Sequence, residues 1–281
     1  MRAAATVLFL TATLFLSGCA PASILAVHNP PPADMPAITF PVAHAAAAFL
    51  AMPGDILLLE IGDTIPKRIA CQFGLYLLSL PSLLDFRAPV TNYFHVEFAY
   101  DVTDADGLLT SGYSPVSHAY FPNDYRNDPT YTVVRIRDFP ALASLALRRF
   151  REDDYPRTGF CGDYVAWCFD DRIYSWWNRI PYVQRFLVEY WFPEAIHTGD
   201  HIASSPDTVG ICRVIRGRAI KPDVIDTAAL TAQIDRALAG DNETIRAHAA
   251  SVRARLIAAG AMDDAGHART DCVRLRVETQ P

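Results

Sequence analysis

The chain reads as an α+β protein: a mostly antiparallel sheet with a cysteine-bearing helix packed on one face. Three observations predict this. Short apolar runs of strand character recur at residues 56–60, 94–102, 108–113, 131–137 and 211–215. Two of these runs flank Asp104-Ala105-Asp106-Gly107, a hairpin-like turn, so they pair as antiparallel neighbours. Helical patterns come in blocks around the strands, in the order strand, helix, strands, helix, cysteine helix, aromatic helices, strand.

The elements follow in chain order. Arg2 is the only charge before residue 34, and residues 3–16 are an unbroken run of apolar residues and threonines. That run is short for a membrane-spanning helix, which needs about 20 residues, and suits the core of a signal peptide. It is followed by Leu16-Ser17-Gly18-Cys19, which resembles a bacterial lipobox. The resemblance implies that Cys19 is acylated and becomes the first mature residue, and residues 1–18 are read as a lipoprotein signal peptide. The plainer alternative is a secretory signal with an incidental cysteine. Ala20, where some lipoproteins carry aspartate, implies by the same resemblance the periplasmic face of the outer membrane.

Residues 19–39, with three consecutive prolines at 30–32, read as a tether. Residues 41–52 are alanine-rich and helical, and Pro53-Gly54-Asp55 breaks that helix ahead of the first buried strand. Residues 65–80 carry a helical pattern, and 140–151 form a helix with proline in its first turn. From Cys161 an apolar helix runs to about residue 170, with Cys161, Tyr164, Val165 and Cys168 on one face. Residues 173–192 hold Tyr174, Trp176, Trp177, Tyr182, Phe186, Tyr190, Trp191 and Phe192. They read as core over the cysteine helix or, more sharply, as an apolar groove for substrate. Two alanine-rich helices over 226–259, broken near Gly240-Asp241-Asn242, and a strand at 271–277 end the chain. The expected division is a domain at 40–221 and a helical C-terminal extension at 222–281.

Charge excludes one class of partner. The 281-residue chain has a net charge of −6, and −7 once Arg2 is removed with residues 1–18. Nucleic acid binding needs a basic stripe, and no such run is present. There is no polybasic run for anionic lipid either, so membrane attachment is expected through the lipid at Cys19. Beyond Cys19 the cysteines are Cys71, Cys161, Cys168, Cys212 and Cys272. An odd number in an oxidising compartment leaves at least one free, read as Cys161. A Cys212–Cys272 disulfide is compatible with the sequence, but four cysteines allow three pairings.

The chemistry rests on two segments. Thr158-Gly159-Phe160-Cys161-Gly162-Asp163 places a cysteine where a turn becomes a helix, and the positive helix end favours thiolate there. The unpaired amides of the first turn can hold an oxyanion, and Gly162 keeps space beside the sulfur. The alternative reading, a buried structural thiol, fits Cys168 better. Asn92-Tyr93-Phe94-His95-Val96-Glu97-Phe98 places a histidine in a strand, with His95 and Glu97 on one face. His95 is the candidate base. Ser111, on the returning strand, is the candidate third polar residue that orients the imidazole, with Glu97 and His118 behind it. His197 and His201 flank a Gly-Asp turn without the further ligands a zinc site needs.

The order Gly54-Asp55 before an apolar strand, His95 in a strand, a returning strand, then Phe160-Cys161-Gly162-Asp163-Tyr164-Val165 opening a helix resembles the YiiX-like group of permuted papain-like hydrolases. That group belongs to the NlpC-type superfamily of cell-wall peptidases and amidases. Ser204-Ser205-Pro206-Asp207-Thr208-Val209 resembles a late element of the same group, and the likeness covers residues 53–216. It implies a permuted papain-like fold, Cys161 as nucleophile, His95 as base and no cofactor. Its substrates would be amides or esters of the envelope, such as peptidoglycan peptides or lipid-linked amides. The group usually has serine and glutamate after the nucleophile, where this chain has Gly162 and Asp163. Its third polar residue is usually glutamate or histidine. These departures motivate a second expectation, a catalytically silent lipoprotein that uses the same cleft to bind a ligand or partner.

Overall fold

The computed structural model describes residues 21–27, 31–60, 93–103, 107–111, 130–152, 155, 161–170 and 199–278. Expectations about the signal peptide, Cys19, Cys71, the helix at 65–80, His118, the turn before Cys161, the aromatic stretch at 173–192 and His197 lie outside these residues.

The protein is α+β. Strands β1 (Ala37–Phe40), β2 (Ile56–Glu60), β3 (Tyr93–Thr103), β4 (Gly107–Ser111), β5 (Tyr131–Ile136), β6 (Thr208–Ile215), β7 (Ala219–Lys221), β8 (Val224–Asp226) and β9 (Cys272–Val277) form two sheets. The larger has the order β4-β3-β2-β5-β6-β7, with every neighbouring pair antiparallel. The run Ile56-Leu57-Leu58-Leu59 explains why β2 is interior to this sheet. A strand apolar on both faces needs cover on both, and Ile56, Leu57 and Leu58 are fully buried. Helices α1 (Ala43–Leu50), α2 (Ala141–Glu152), α3 (Cys161–Cys168), α4 (Gly199–Ser204), α5 (Thr227–Ala239) and α6 (Glu243–Ala258) pack around it. The small side chains of α1 let it touch β4 near one edge and β6 and β7 at the other.

The Gly54-Asp55 pair has a structural task. Gly54 has φ +100°, and a Cβ there would overlap that of Ala143 on α2. Its amide bonds the carbonyl of Ala99 at 2.7 Å, and the amide of Ala99 returns a bond to Asp55 at 2.9 Å, fixing β2 against β3. The Asp55 carboxylate accepts two bonds from the Arg135 guanidinium, at 2.8 and 2.7 Å, and one from the Met52 amide at 2.8 Å. Arg135 also reaches the Leu50 carbonyl at 3.2 Å and Gln233 on α5 at 3.3 Å, and stacks on Phe139 at 4.8 Å. Both charges are buried and fully paired, the condition under which a buried ion pair is tolerated.

Residues 19–39 are not a free tether over their described part. The amide of Ile24 bonds Gly210, Ser23 Oγ bonds the carbonyl of Ile211, and Leu25 is fully buried. β1 pairs in parallel with β9. The apolar residues Leu25, Ile38 and Phe40 drive this; the proline run only interrupts it. The C-terminal part is likewise built in. Its helices begin at the side-chain caps Asp226 and Asn242, as the break near Gly240 predicts. β9 joins β1 and β8 in the second sheet, order β1-β9-β8, and His248 on α6 bonds the carbonyl of Ala51 at 2.8 Å. It is an α/β layer sharing the core with residues 40–221, more than a helical extension. Cys212 and Cys272 are both buried free thiols, with no disulfide between them.

Candidate active site

α3 carries Cys161 at one end and Cys168 at the other. Cys161 is half-buried, whereas Cys168 at the far end is fully buried. Burial pushes the Cys168 thiol up to about 12, keeping it protonated and inert. α3 is held firmly on the body. Tyr164 is packed edge-on against Tyr155, with ring centroids 5.2 Å apart, and Phe169 packs edge-on against Phe98 at 5.8 Å. Arg149 of α2 donates to the Trp167 carbonyl at 2.6 Å and pairs with Asp170 at 2.5 Å. A cation thus sits at the helix C-terminus, where the dipole favours it.

β3 supplies the rest. His95 is side-chain hydrogen-bonded to Cys161, and its Nε2 lies 3.5 Å from Glu97 Oε1. The His95 side chain is 21% exposed and that of Glu97 only 7%. Burial by itself would lower the His95 pKa. The hydrogen bonds and negative charges of Cys161 and Glu97 outweigh it and raise the value from 6.5 to about 10. Glu97 is held from behind: Thr110 Oγ1 donates to Oε2 at 2.5 Å, and Thr110 is buried. One carboxylate oxygen therefore faces the imidazole and the other is fixed by a hydroxyl.

The structure brings Cys161 and His95 together, and the residue beside the imidazole is Glu97. Ser111 is placed elsewhere: its hydroxyl is 3.4 Å from that of Tyr164, and its register partner is Phe98, which alternation turns away from Glu97. The reason is a bulge. Starting from Thr103↔Gly107, a regular ladder would set Ser111 opposite Ala99, on the His95–Glu97 face. The register shifts between Ala99 and Asp101, so Thr110 opposes Ala99 instead. Sequence reasoning missed Thr110 for that reason. The i, i+2 spacing of His95 and Glu97 was the legible signal for the carboxylate.

His44, on α1, stacks on Tyr131 and its Nδ1 lies 3.1 Å from the Tyr131 hydroxyl, a core contact. Among the described residues no group of three or more histidines, cysteines or carboxylates could hold a metal ion. Comparison with protein-family models, with characterised proteins and with solved structures finds no match to this chain.

Proposed function

We propose that this protein is a lipid-anchored envelope thiol hydrolase, acting on amide or ester bonds through Cys161, His95 and Glu97, on a permuted papain-like variant of the α+β architecture. The observation that carries the reading is the line Cys161–His95–Glu97–Thr110. It has a half-exposed thiol at a helix start, an imidazole bonded to it, and a buried carboxylate fixed behind the imidazole. The reacting state is a thiolate beside an imidazolium. The Cys161 sulfur attacks the substrate carbonyl, and the oxyanion is received by backbone amides at the start of α3. With Nε2 turned to Glu97, the other ring nitrogen, Nδ1, passes its proton to the leaving amine or alcohol. The thioester left on Cys161 is then released by water, with His95 as general base. Glu97 holds the ring and stabilises the imidazolium, the role a third residue plays in such sites.

The anchor reading rests on Leu16-Ser17-Gly18-Cys19, and the substrates it favours are peptidoglycan peptides or lipid-linked amides. Among the described residues no helix is long and apolar enough to cross a membrane. The test is to incubate the mature protein with muropeptides and with acyl esters, and to look by mass spectrometry for an acyl group on Cys161. A thioester on Cys161 that forms in the wild type and not in Cys161→Ser, and builds up or forms slowly in His95→Ala, is expected. No adduct and no turnover with either substrate class would favour the silent binding protein.

A further inference from the structure

A cavity of about 280 Å³ lies where the N-terminal segment packs over β6 and β7. Its walls come from stretches far apart in the chain: Pro21 and Ala26, Thr132 on β5, Cys212 on β6, and Pro222 just after β7. The segment is fixed in place. Ile24 donates to the Gly210 carbonyl at 3.0 Å, and the Asp226 amide donates to the Leu25 carbonyl at 2.9 Å. The Pro21 and Ala22 carbonyls press so closely on Gly210 that a side chain there would overlap them. The cavity is therefore a standing feature of the packing.

One polar group of this lining lacks a match. Thr132 is 2% exposed, and its Oγ1 is buried with no hydrogen-bond partner among the described residues. Thr132 stands opposite Arg213 in the β5–β6 register, so the two side chains share a face of the sheet, and both line the cavity. A buried hydroxyl left unpaired is costly, and native proteins leave few. The other hydroxyl of the lining is used twice: Ser23 Oγ donates to the Ile211 carbonyl and accepts from the Leu25 amide at 3.1 Å. The charges are matched as well. Arg213 is held by Glu60 at 2.5 and 2.6 Å, and Lys221 by Asp223 at 2.7 Å. Burial pushes the Cys212 thiol up, so it stays protonated and its wall is neutral.

We propose that this cavity binds a small neutral molecule, a compact apolar body with one carbonyl or hydroxyl oxygen that accepts a hydrogen bond from Thr132. The apolar body lies against Pro21, Ala26 and Pro222, and the paired charges of the lining give an ion no advantage. Volume sets the size. An apolar cavity of about 150 Å³ takes benzene, so 280 Å³ takes roughly ten non-hydrogen atoms. The occupant touches the N-terminal segment, β5, β6 and the residue after β7 together, and so stabilises their packing by mass action. The site shares no residue with the line Cys161–His95–Glu97–Thr110 and does not depend on the hydrolase reading.

The probes are cyclohexanone, acetophenone and camphor, with cumene as the isostere of acetophenone that lacks the oxygen. Each is titrated into the mature protein carrying isotope-labelled threonine methyl groups, and the Thr132 signal is assigned by NMR through Thr132→Val. A Thr132 methyl shift that saturates with at least one ketone is expected, with acetophenone bound more tightly than cumene. In Thr132→Val, followed on the signals of the probes themselves, acetophenone binding should weaken roughly 2- to 10-fold while cumene binding does not. Ala26→Leu, which extends a side chain into the cavity, should abolish binding of all four. A Thr132 signal unmoved by every ketone would overturn the proposal and leave the hydroxyl to an ordered water. Equal acetophenone affinity in wild type and Thr132→Val would overturn it too. Should Ala26→Leu fail to fold, the wild-type and Thr132→Val titrations decide alone.

Discussion

Replacing Glu97 by glutamine should return His95 towards ordinary histidine behaviour. The substitution keeps shape and the contact with Thr110 while removing the charge 3.5 Å from Nε2. At an effective dielectric constant of about 20, two unit charges at that distance interact by roughly 5 kcal/mol, an upper bound because water reaches one side of the ring. Carboxylates at such range shift a partner by about 1–3 pKa units. Burial, which favours neutral imidazole, is left less opposed. His95 should therefore titrate roughly 1–3 units below the wild-type value of about 10. The assay is the pH dependence of imidazole carbon-bound proton shifts by NMR, with the His95 signal assigned through His95→Gln. The same shift governs stability. His95 has a folded pKa above its unfolded value of 6.5, so its contribution is complete below 6.5 and is lost as pH rises through about 10. Denaturant unfolding should show that loss in wild type, and Glu97→Gln should narrow the window. An unchanged His95 titration in the variant would refute the assignment of Glu97 as its partner.

Further outcomes are expected. Thr110→Val leaves a buried carboxylate oxygen without its donor and should cost about 1–3 kcal/mol in denaturant unfolding. It should also lower the His95 titration, whereas Thr110→Ser, which keeps the hydroxyl, should restore it. Arg135→Met strands the buried Asp55 carboxylate and should destabilise by about 3–5 kcal/mol, read in the same assay, without altering the His95 titration. Gly54→Ala combines a positive φ with a clash on Ala143 and should lower stability by about 1–3 kcal/mol, seen as a lower Tm.

Much of this was legible in the chain. The strands declare themselves through alternation and through Ile56-Leu57-Leu58-Leu59. The His95–Glu97 face follows from the two-residue period of a strand. Thr110 was not legible, because a bulge of one residue at Tyr100 exchanges which of Thr110 and Ser111 faces the imidazole. Bulges depend on how two strands twist against each other, which neither strand's sequence states. The Asp55–Arg135–Gln233 network was also hidden. Those residues are 55, 135 and 233 in the chain, and only the fold makes them neighbours. The docking of residues 21–27 was masked by the prolines that follow, since composition reported the stiff part and the few apolar residues decided the packing.

In the proposed mechanism Cys161 and His95 form an activated pair. The most direct test is the alkylation rate of Cys161 by iodoacetamide against pH, read site by site by mass spectrometry in the wild type, His95→Ala and Glu97→Gln. A Cys161 alkylated far faster than buried Cys168, losing that reactivity with His95 and part of it with Glu97, is the predicted result. A Cys161 no more reactive than buried Cys168, or one indifferent to His95, would contradict it.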